Sequence, residues 1–249
     1  MILLTGFEPF GGQPMNPSWA AALSARDLLR AEGFAVEAVE LPCVFGAAGS
    51  VLRNALGDLE PELVVCIGQA GGRGRVSLER VAINCDDAPI PDNAGNQPVD
   101  REVVPGGPAA YFTTLPIKAA LLAVESAGVP AEVSQTAGTY VCNHTFYTLM
   151  HELAPRPGVR GGFVHVPFAP DQVEQGSTVA SLPAPTLPVP TLPAPSLPVA
   201  AMAAAIAAVV RASLNQPSQS SGTTRPTGET RPPGATRPAD VALAAGSLH

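Results

Sequence analysis

Short apolar runs alternate with amphipathic stretches through the first 175 residues, and no other feature of the sequence restricts the fold as strongly. The runs are typical of strands and cover residues 2–4, 35–39, 63–67, 131–134 and 162–166. The stretches between them repeat apolar residues at helical spacing and cover residues 18–31, 45–59, 107–127 and 142–153. Strands that alternate with helices build a mostly parallel, twisted sheet covered by helices on both faces. We therefore predict a three-layer α/β/α sandwich in a single domain.

Residues 68–106 interrupt the alternation, because they are rich in Gly, Asn, Asp and Pro. We interpret them as an excursion of loops or a hairpin over the carboxyl edge of the sheet, where α/β folds place their functional sites. Long loops in compact domains tend to serve function. The excursion is therefore expected to carry site residues.

The sequence changes character after Gly176, where a five-residue proline repeat soon begins. Proline removes backbone donors and favours an extended chain, so the repeat is predicted to be a semi-rigid spacer. An Ala-rich segment follows, with one apolar helical face formed by Met202, Ile206, Val209 and Val210. We predict an α/β domain over 1–180, a Pro-rich spacer over 181–198, a helix over 199–214 that packs on the domain, and a disordered tail over 215–249.

Charge and hydropathy exclude several classes of protein. With 14 Lys and Arg against 21 Asp and Glu, the formal net charge is −7, whereas wide non-specific nucleic-acid binding needs a basic surface. No apolar run reaches the roughly 18 residues of a membrane span, and the N-terminus lacks a signal-peptide pattern. The four cysteines form no CxxC pair, which is typical of a reducing cytoplasm. From charge, hydropathy and cysteine usage together, we expect a cytoplasmic protein with no nucleic-acid or membrane partner.

Cys142 is the cysteine best suited to catalysis, because apolar residues recur at helical spacing directly after it and place it at a helix N-terminus. Backbone N–H groups and the positive end of the helix dipole favour a thiolate there, which makes the sulfur a nucleophile. Cys66 lies inside a strand-like apolar run and is typical of a small buried hydrophobe. Cys43 and Cys85 carry no comparable signal.

A nucleophilic cysteine needs a base within hydrogen-bond reach, and His165 is the best placed of the four histidines. It lies near the end of a strand, at the sheet edge where the helix of Cys142 begins. His144 shares that helix, but a spacing of two residues directs it away from position 142. Four acidic residues of the excursion are candidates for orienting the base, and spacing leaves the choice open: Glu79, Asp86, Asp87 and Asp92.

Two glycine-rich stretches, residues 5–12 and 68–74, follow predicted strands but match neither common phosphate-binding fingerprint. We interpret them as tight turns whose backbone lines a ligand pocket. The sequence contains no HExxH, CxxC or paired-histidine spacing. We therefore predict no metal and no cofactor.

Taken together, the motifs of the first two-thirds of the chain resemble the pyroglutamyl-peptidase I (pyrrolidone-carboxylate peptidase) family, cysteine peptidase family C15. The resemblance runs from Ile2 to about Gln172. It is carried by LLTGFEPFGG at 3–12, NPSW at 16–19, GQAGGR at 68–73, ERVAIN at 79–84, IPDNAGNQP at 90–98, GGPAAYFTTLPIK at 106–118, TAGTYVCNHTFY at 136–147 and RGGFVHVPF at 160–168.

The resemblance implies a Cys-His-Glu catalytic triad, which falls on Cys142, His165 and Glu79 through the CNH, HVPF and ERVAIN motifs. It implies removal of an N-terminal pyroglutamyl residue (5-oxoproline) from peptides by thiolate attack. It further implies pyroglutamyl peptides as partners, no cofactor, a cytoplasmic location and a homo-oligomer, with a tetramer expected from the family.

The resemblance also implies a substrate pocket with apolar walls, because a lactam ring carries no charge. The walls are expected at Phe10, Ile90, Tyr140 and Val141, and the lactam's polar edge is expected at Asn16 or Gln69. Three positions depart from the family pattern: Tyr140 stands in place of Phe, Cys43 in place of Thr, and Pro89 in place of Arg. The added hydroxyl of Tyr140 must find a partner or change the polarity of the pocket.

Three other functions are compatible with parts of this pattern. A catalytically silent relative would bind a cyclic metabolite or act as a scaffold through its proline repeat, but the intact catalytic set argues against it. A cysteine amidohydrolase would use the same triad on a small lactam or amide. Nucleoside-phosphorylase-like chemistry is disfavoured because no phosphate-binding signature is present.

Overall fold

The structure is a computed structural model that describes residues 1–174 and 194–215. Within these ranges the strands are β1 (Ile2–Phe7), β2 (Val36–Leu41), β3 (Leu63–Gln69), β4 (Val76–Glu79), β5 (Val81–Ile83), β6 (Ala110–Phe112), β7 (Ala131–Ser134) and β8 (Arg160–Val166). The helices are α1 (Pro17–Ala31), α2 (Ala47–Leu59), α3 (Ile117–Ser126), α4 (Val141–Leu153), α5 (Pro170–Glu174) and α6 (Val199–Leu214).

Six strands form one mixed sheet in the order β2-β1-β3-β8-β4-β7. Neighbouring strands from β2 to β8 run parallel, β4 runs antiparallel to β8, and β7 runs parallel to β4. The short strands β5 and β6 form a separate antiparallel pair. The predicted α/β class with a mostly parallel sheet is therefore confirmed.

Each face of the sheet packs against its own set of helices. α1, α3 and α6 share one hydrophobic cluster with strand residues such as Val65 and Val164. α2 and α4 share the other cluster with residues such as Cys66 and Phe163, and we call this side of the sheet the α2/α4 face. Because successive strand residues point to opposite faces, strands that are buried on both faces need continuous apolar runs.

The predicted C-terminal helix is present as α6, which packs against α1 and α3. Its predicted apolar face, including Met202 and Ile206, is fully buried. Just before α6, the N–H of Leu197 donates to the carbonyl of Phe168, two residues after β8, at 2.9 Å. Neither α6 nor any other helix in the described ranges combines the length and apolar composition needed to cross a membrane. Residues 175–180 of the predicted domain, 181–193 of the predicted spacer and 216–249 of the predicted tail lie outside the described residues.

The excursion over residues 68–106 differs from the prediction, because it contains β4, an inner strand of the main sheet. Glycine-rich and polar segments flank β4 on both sides, so the alternation of apolar runs with helices does not mark it as a strand of the sheet. The helix predicted over 107–127 is also shorter, since α3 begins only at Ile117 and residues 110–112 form β6. Pro116 explains this start, because the residue before a proline is disfavoured in a helix.

Candidate active site

The sulfur of Cys142 lies in the first turn of α4, directly against the backbone of β3. A Cβ atom added to Gly68 would stand 2.8 Å from the Cys142 Sγ and 2.8 Å from the ring of Phe163. Such distances are shorter than van der Waals contact, so only glycine leaves room for the sulfur at this place. Gly68 belongs to β3 and not to the tight turn that the sequence predicts, but it does bring backbone against the cysteine.

His165 lies beside Gly68 on the neighbouring strand, because β3 and β8 pair with Gly68 opposite His165. Paired residues share a face of the sheet, and Phe163, two residues before His165, belongs to the α2/α4 face. Cys142 approaches Gly68 from that same face. The predicted nucleophile and base are therefore brought to one face of the sheet, at the end of β3 and β8.

Glu79 completes the arrangement from β4. Its Oε1 lies 2.7 Å from the Nδ1 of His165, and neither side chain is more than 4% exposed. The same oxygen accepts a hydrogen bond from the Arg73 Nη1 at 2.6 Å. Because β4 lies next to β8 in the sheet, it is the strand that carries a carboxylate to this histidine.

The electrostatics of the pair define which nitrogen of His165 acts. Burial raises the pKa of Glu79, but hydrogen bonds from His165 and Arg73 outweigh it and leave the pKa below its ordinary value. Burial lowers the pKa of His165 more than Glu79 raises it. A neutral imidazole beside a carboxylate carries its proton on Nδ1, so Nε2 is the basic nitrogen.

The Cys142 side chain is partly buried, and its thiol is desolvated by the groups packed around it. Burial raises its pKa well above the ordinary value, and among its charged neighbours Arg73 acts in the opposite direction. The expected preference for thiolate at the start of a helix is therefore outweighed by desolvation. A base must take the thiol proton as the sulfur reacts.

The aromatic residues near the start of α4 form one wall. The Tyr140 ring lies 5.4 Å from that of Phe10 and 5.3 Å from that of Phe45. The Tyr140 hydroxyl donates to the carbonyl of Pro91 at 3.0 Å, so it finds its partner in the chain. Ile90, next to Pro91, is 38% exposed. Sequence reasoning missed Phe45, whose only signal is its place in the Pro-Cys-Val-Phe stretch 42–45.

The other predicted pocket residues are engaged in the scaffold. Val141 is fully buried in the hydrophobic cluster of the α2/α4 face. Asn16 caps α1, since its Oδ1 accepts from the N–H of Ser18 at 3.1 Å while its Nδ2 donates to the carbonyl of Glu8 at 3.0 Å. Asn16 thus closes the loop that carries Phe10.

Gln69 lies on the opposite face of the sheet from Gly68 and contacts Gln172. The backbone N–H of Ala169 donates to the Oε1 of Gln172, so the Nε2 of Gln172 is the group that donates to the Oε1 of Gln69 at 3.0 Å. Gln172 therefore occupies the Oε1 of Gln69, and the described contacts include none to the Nε2 of Gln69.

The remaining histidine and acidic candidates are occupied elsewhere. His144 Nδ1 lies 2.8 Å from the Oδ2 of Asp86, and its Nε2 accepts from the N–H of Gly46. The carboxylate of Asp92 accepts from the N–H groups of Phe45 and Asn96. In the described part of the chain, no group of three His, Cys, Asp or Glu side chains is arranged for a metal ion.

A thiol, a buried imidazole and a carboxylate on one face of this sheet define the class of protein, a hydrolase of the cysteine peptidase type. The sequence matches the pyroglutamyl peptidase family over residues 1–213. The chain belongs to this family. Its activity is therefore that of a pyroglutamyl peptidase, a hydrolase that removes N-terminal pyroglutamate.

Individual relatives support the same assignment. The chain is 58% identical to the pyrrolidone-carboxylate peptidase of Streptomyces coelicolor over 187 residues, 74% of this chain and 85% of that protein. It is 54% identical to that of Escherichia fergusonii over 185 residues, 74% of this chain and 86% of that protein. The crystal structure of pyroglutamyl peptidase I from Bacillus amyloliquefaciens has a TM-score of 0.73 at 42% identity, covering 85% of this chain and 95% of that chain.

Proposed function

We propose that Cys142, His165 and Glu79 are the catalytic triad that cleaves the bond after an N-terminal pyroglutamyl residue. The observation that carries the proposal is the 2.7 Å contact between His165 Nδ1 and Glu79 Oε1, with the Cys142 sulfur approaching Gly68 on the same face. This contact leaves Nε2 as the basic nitrogen of the imidazole. A nucleophile, a base and an orienting carboxylate are the three roles that this chemistry needs.

In the first half of the reaction, the Cys142 Sγ attacks the pyroglutamyl carbonyl carbon while His165 Nε2 takes the thiol proton. The new carbon–sulfur bond places negative charge on the carbonyl oxygen. Glu79 stabilises the imidazolium that forms, as the third member of a triad does. When the carbon–nitrogen bond breaks, His165 passes the proton to the leaving amine, and a thioester remains.

In the second half, His165 takes a proton from water, which attacks the thioester carbon. The carbon–sulfur bond breaks, 5-oxoproline leaves, and the proton returns to Cys142. Backbone N–H groups in the first turn of α4 have no acceptor within the helix, so they are suited to hold the carbonyl oxygen when it is charged. An N–H of the turn over residues 68–72 is the second candidate for this oxyanion hole.

Substrate choice follows from the apolar wall of Phe10, Ile90 and Tyr140 beside the start of α4. A neutral lactam loses little on entering such a pocket, whereas the free ammonium of an ordinary peptide loses its hydration without gaining a partner. The backbone of Gln69, next to Gly68, is the part of this residue suited to line the pocket, since its side chain contacts Gln172 on the opposite face of the sheet. Asn16 contributes by holding the loop of Phe10 in place.

The catalytic unit in this proposal is the domain over 1–180 together with α6, which is supported by the packing of α6 on α1 and α3. The spacer over 181–198 joins the two. The four cysteines are free, in keeping with a reducing, cytoplasmic environment that keeps the nucleophile active. The homo-oligomer is proposed from the family resemblance, and sedimentation of the purified chain would measure it.

Hydrolysis of a fluorogenic pyroglutamyl amide, beside its prolyl and glutaminyl analogues, tests the proposal. We expect reduced wild type to cleave only the pyroglutamyl compound and Cys142→Ser to cleave none. Cys85→Ser is the matched control, since Cys85 is a free, partly exposed cysteine that contacts none of the triad, and it should retain activity. An inactive reduced wild type would favour the silent relative. Activity on small lactams that disappears with longer peptides would favour the amidohydrolase.

A further inference from the structure

Arg73 contacts the proposed triad but is not one of its three members. It lies in the glycine-rich loop between β3 and β4, in the GQAGGR motif. Its Nη1 donates to Glu79 Oε1 at 2.6 Å, and its Nη2 donates to the carbonyl of Thr136 at 3.1 Å. Two anchors from one guanidinium hold the side chain in a fixed place although it is 28% exposed.

The contact joins a cation to the same oxygen that binds His165. Glu79 Oε1 therefore accepts from both Arg73 and His165, and the Ser134 hydroxyl also favours the charged form of the carboxylate. A fully buried carboxylate whose partners are only a neutral imidazole and a hydroxyl would carry uncompensated charge. Arg73 supplies the compensating charge before His165 is protonated.

The titratable groups around the site show that the charge of Arg73 influences both Cys142 and His165. Those that influence Cys142 are Cys43 beside β2, Cys66 in β3, Glu79 in β4 and Arg73 in the loop. Those that influence His165 are Glu79 and Arg73. Arg73 is the one cation in these two sets. A positive charge lowers the pKa of each neighbouring acid, whether thiol, imidazolium or carboxylic acid.

We propose that Arg73 is a positioning residue that fixes Glu79 against His165 and sets the pH at which Cys142 and His165 become reactive. The inference rests on the proposed triad. It assigns to the GQAGGR motif a role that neither the spacing nor the family resemblance supplied. Arg73 acts through Glu79 and through its charge, without contact with substrate in this assignment.

The pH dependence of kcat/KM separates this role from a merely structural one. Removing the charge in Arg73→Gln raises the three pKa values together, so the acid limb should move to higher pH by roughly one unit. On the acid side of the limb, kcat/KM then falls about tenfold. Arg73→Lys keeps the charge but loses the two-pronged contact, so its acid limb should stay near that of wild type while kcat falls.

Arg80→Gln is the matched control. Arg80 follows Glu79 directly, but its Nε donates to Gln135 Oε1 at 3.0 Å on the surface instead of contacting the triad. We expect the control to keep the wild-type pH profile. A profile of Arg73→Gln that coincides with that of Arg80→Gln would overturn the proposal.

Alkylation of Cys142 by iodoacetamide, followed by mass spectrometry across pH, provides a readout that does not depend on turnover. The midpoint of the alkylation rate should move upward in Arg73→Gln, and should stay in place in Arg73→Lys and Arg80→Gln. The alkylation midpoint of Arg73→Gln and the hydrolytic activity of Cys142→Ser test different claims. If the midpoint moves in the first variant but the second still hydrolyses the substrate, the triad proposal fails and the charge effect stands. If the midpoint does not move in either Arg73 variant, the charge effect of Arg73 is refuted although the triad stands.

Discussion

The Tyr140 hydroxyl donates to the carbonyl of Pro91 at 3.0 Å and thereby ties the start of α4 to the loop that carries Ile90. The resemblance leads us to expect phenylalanine at position 140, and a phenylalanine ring would lack this tether. The ring itself packs against Phe10 and Phe45. The tether therefore holds two sides of the proposed lactam pocket together.

Removing this tether in Tyr140→Phe should weaken substrate binding more than it slows chemistry. One hydrogen bond of this kind contributes about 0.5–1.5 kcal/mol, so KM should rise roughly two- to tenfold with kcat little changed. Tyr111→Phe is the control, because the Tyr111 hydroxyl contacts His151 and not the pocket loop. Steady-state kinetics on a pyroglutamyl amide decide the matter, and an unchanged KM would show that the tether does not shape the pocket.

Gly68→Ala should damage the site directly, since the added Cβ would collide with the Cys142 sulfur and the Phe163 ring. Overpacking of this kind costs about 1–3 kcal/mol of stability, and the displaced sulfur should lower kcat by more than about tenfold. Gly57→Ala in α2 is the matched control, because its Cβ would meet nothing within 4 Å. It should stabilise the protein by roughly 0.5–1 kcal/mol and retain activity. Urea unfolding measures the stability of both variants and shows whether each is folded in the assay. Equal kcat in folded Gly68→Ala and Gly57→Ala would contradict this account of Gly68.

The spacing of apolar residues along the sequence is enough to predict where Cys142 and His165 lie in their helix and strand. The repeat of Phe146, Leu149 and Leu153 places Cys142 at a helix start, and α4 begins at Val141. His165 is predicted near the end of a strand, and β8 ends one residue later. In both cases the signal lies within a dozen residues of the site and follows a single period.

The spacing of residues along the sequence does not identify Glu79 as the carboxylate that contacts His165. That contact depends on β4 entering the sheet between β8 and β7, a pairing between segments far apart in the chain. Asp86, an equal candidate by spacing, pairs with His144 instead. Family resemblance names Glu79, whereas the contact with Arg73 becomes visible only when the loop before β4 is placed in space.

Stability should fall on the acid side because His165 is held neutral in the native protein. Burial lowers its pKa below the ordinary value of 6.5, so the unfolded chain takes up a proton near that pH while the native state does not. The free energy of unfolding therefore declines as pH falls from about 7.5 to about 5.5, with a limiting slope of about 1.4 kcal/mol per pH unit. Urea unfolding at several pH values measures this decline. His165→Gln removes the group that titrates, so its decline over the same interval should be shallower. Parallel declines in the two proteins would mean that His165 is as readily protonated in the native state as in the unfolded chain.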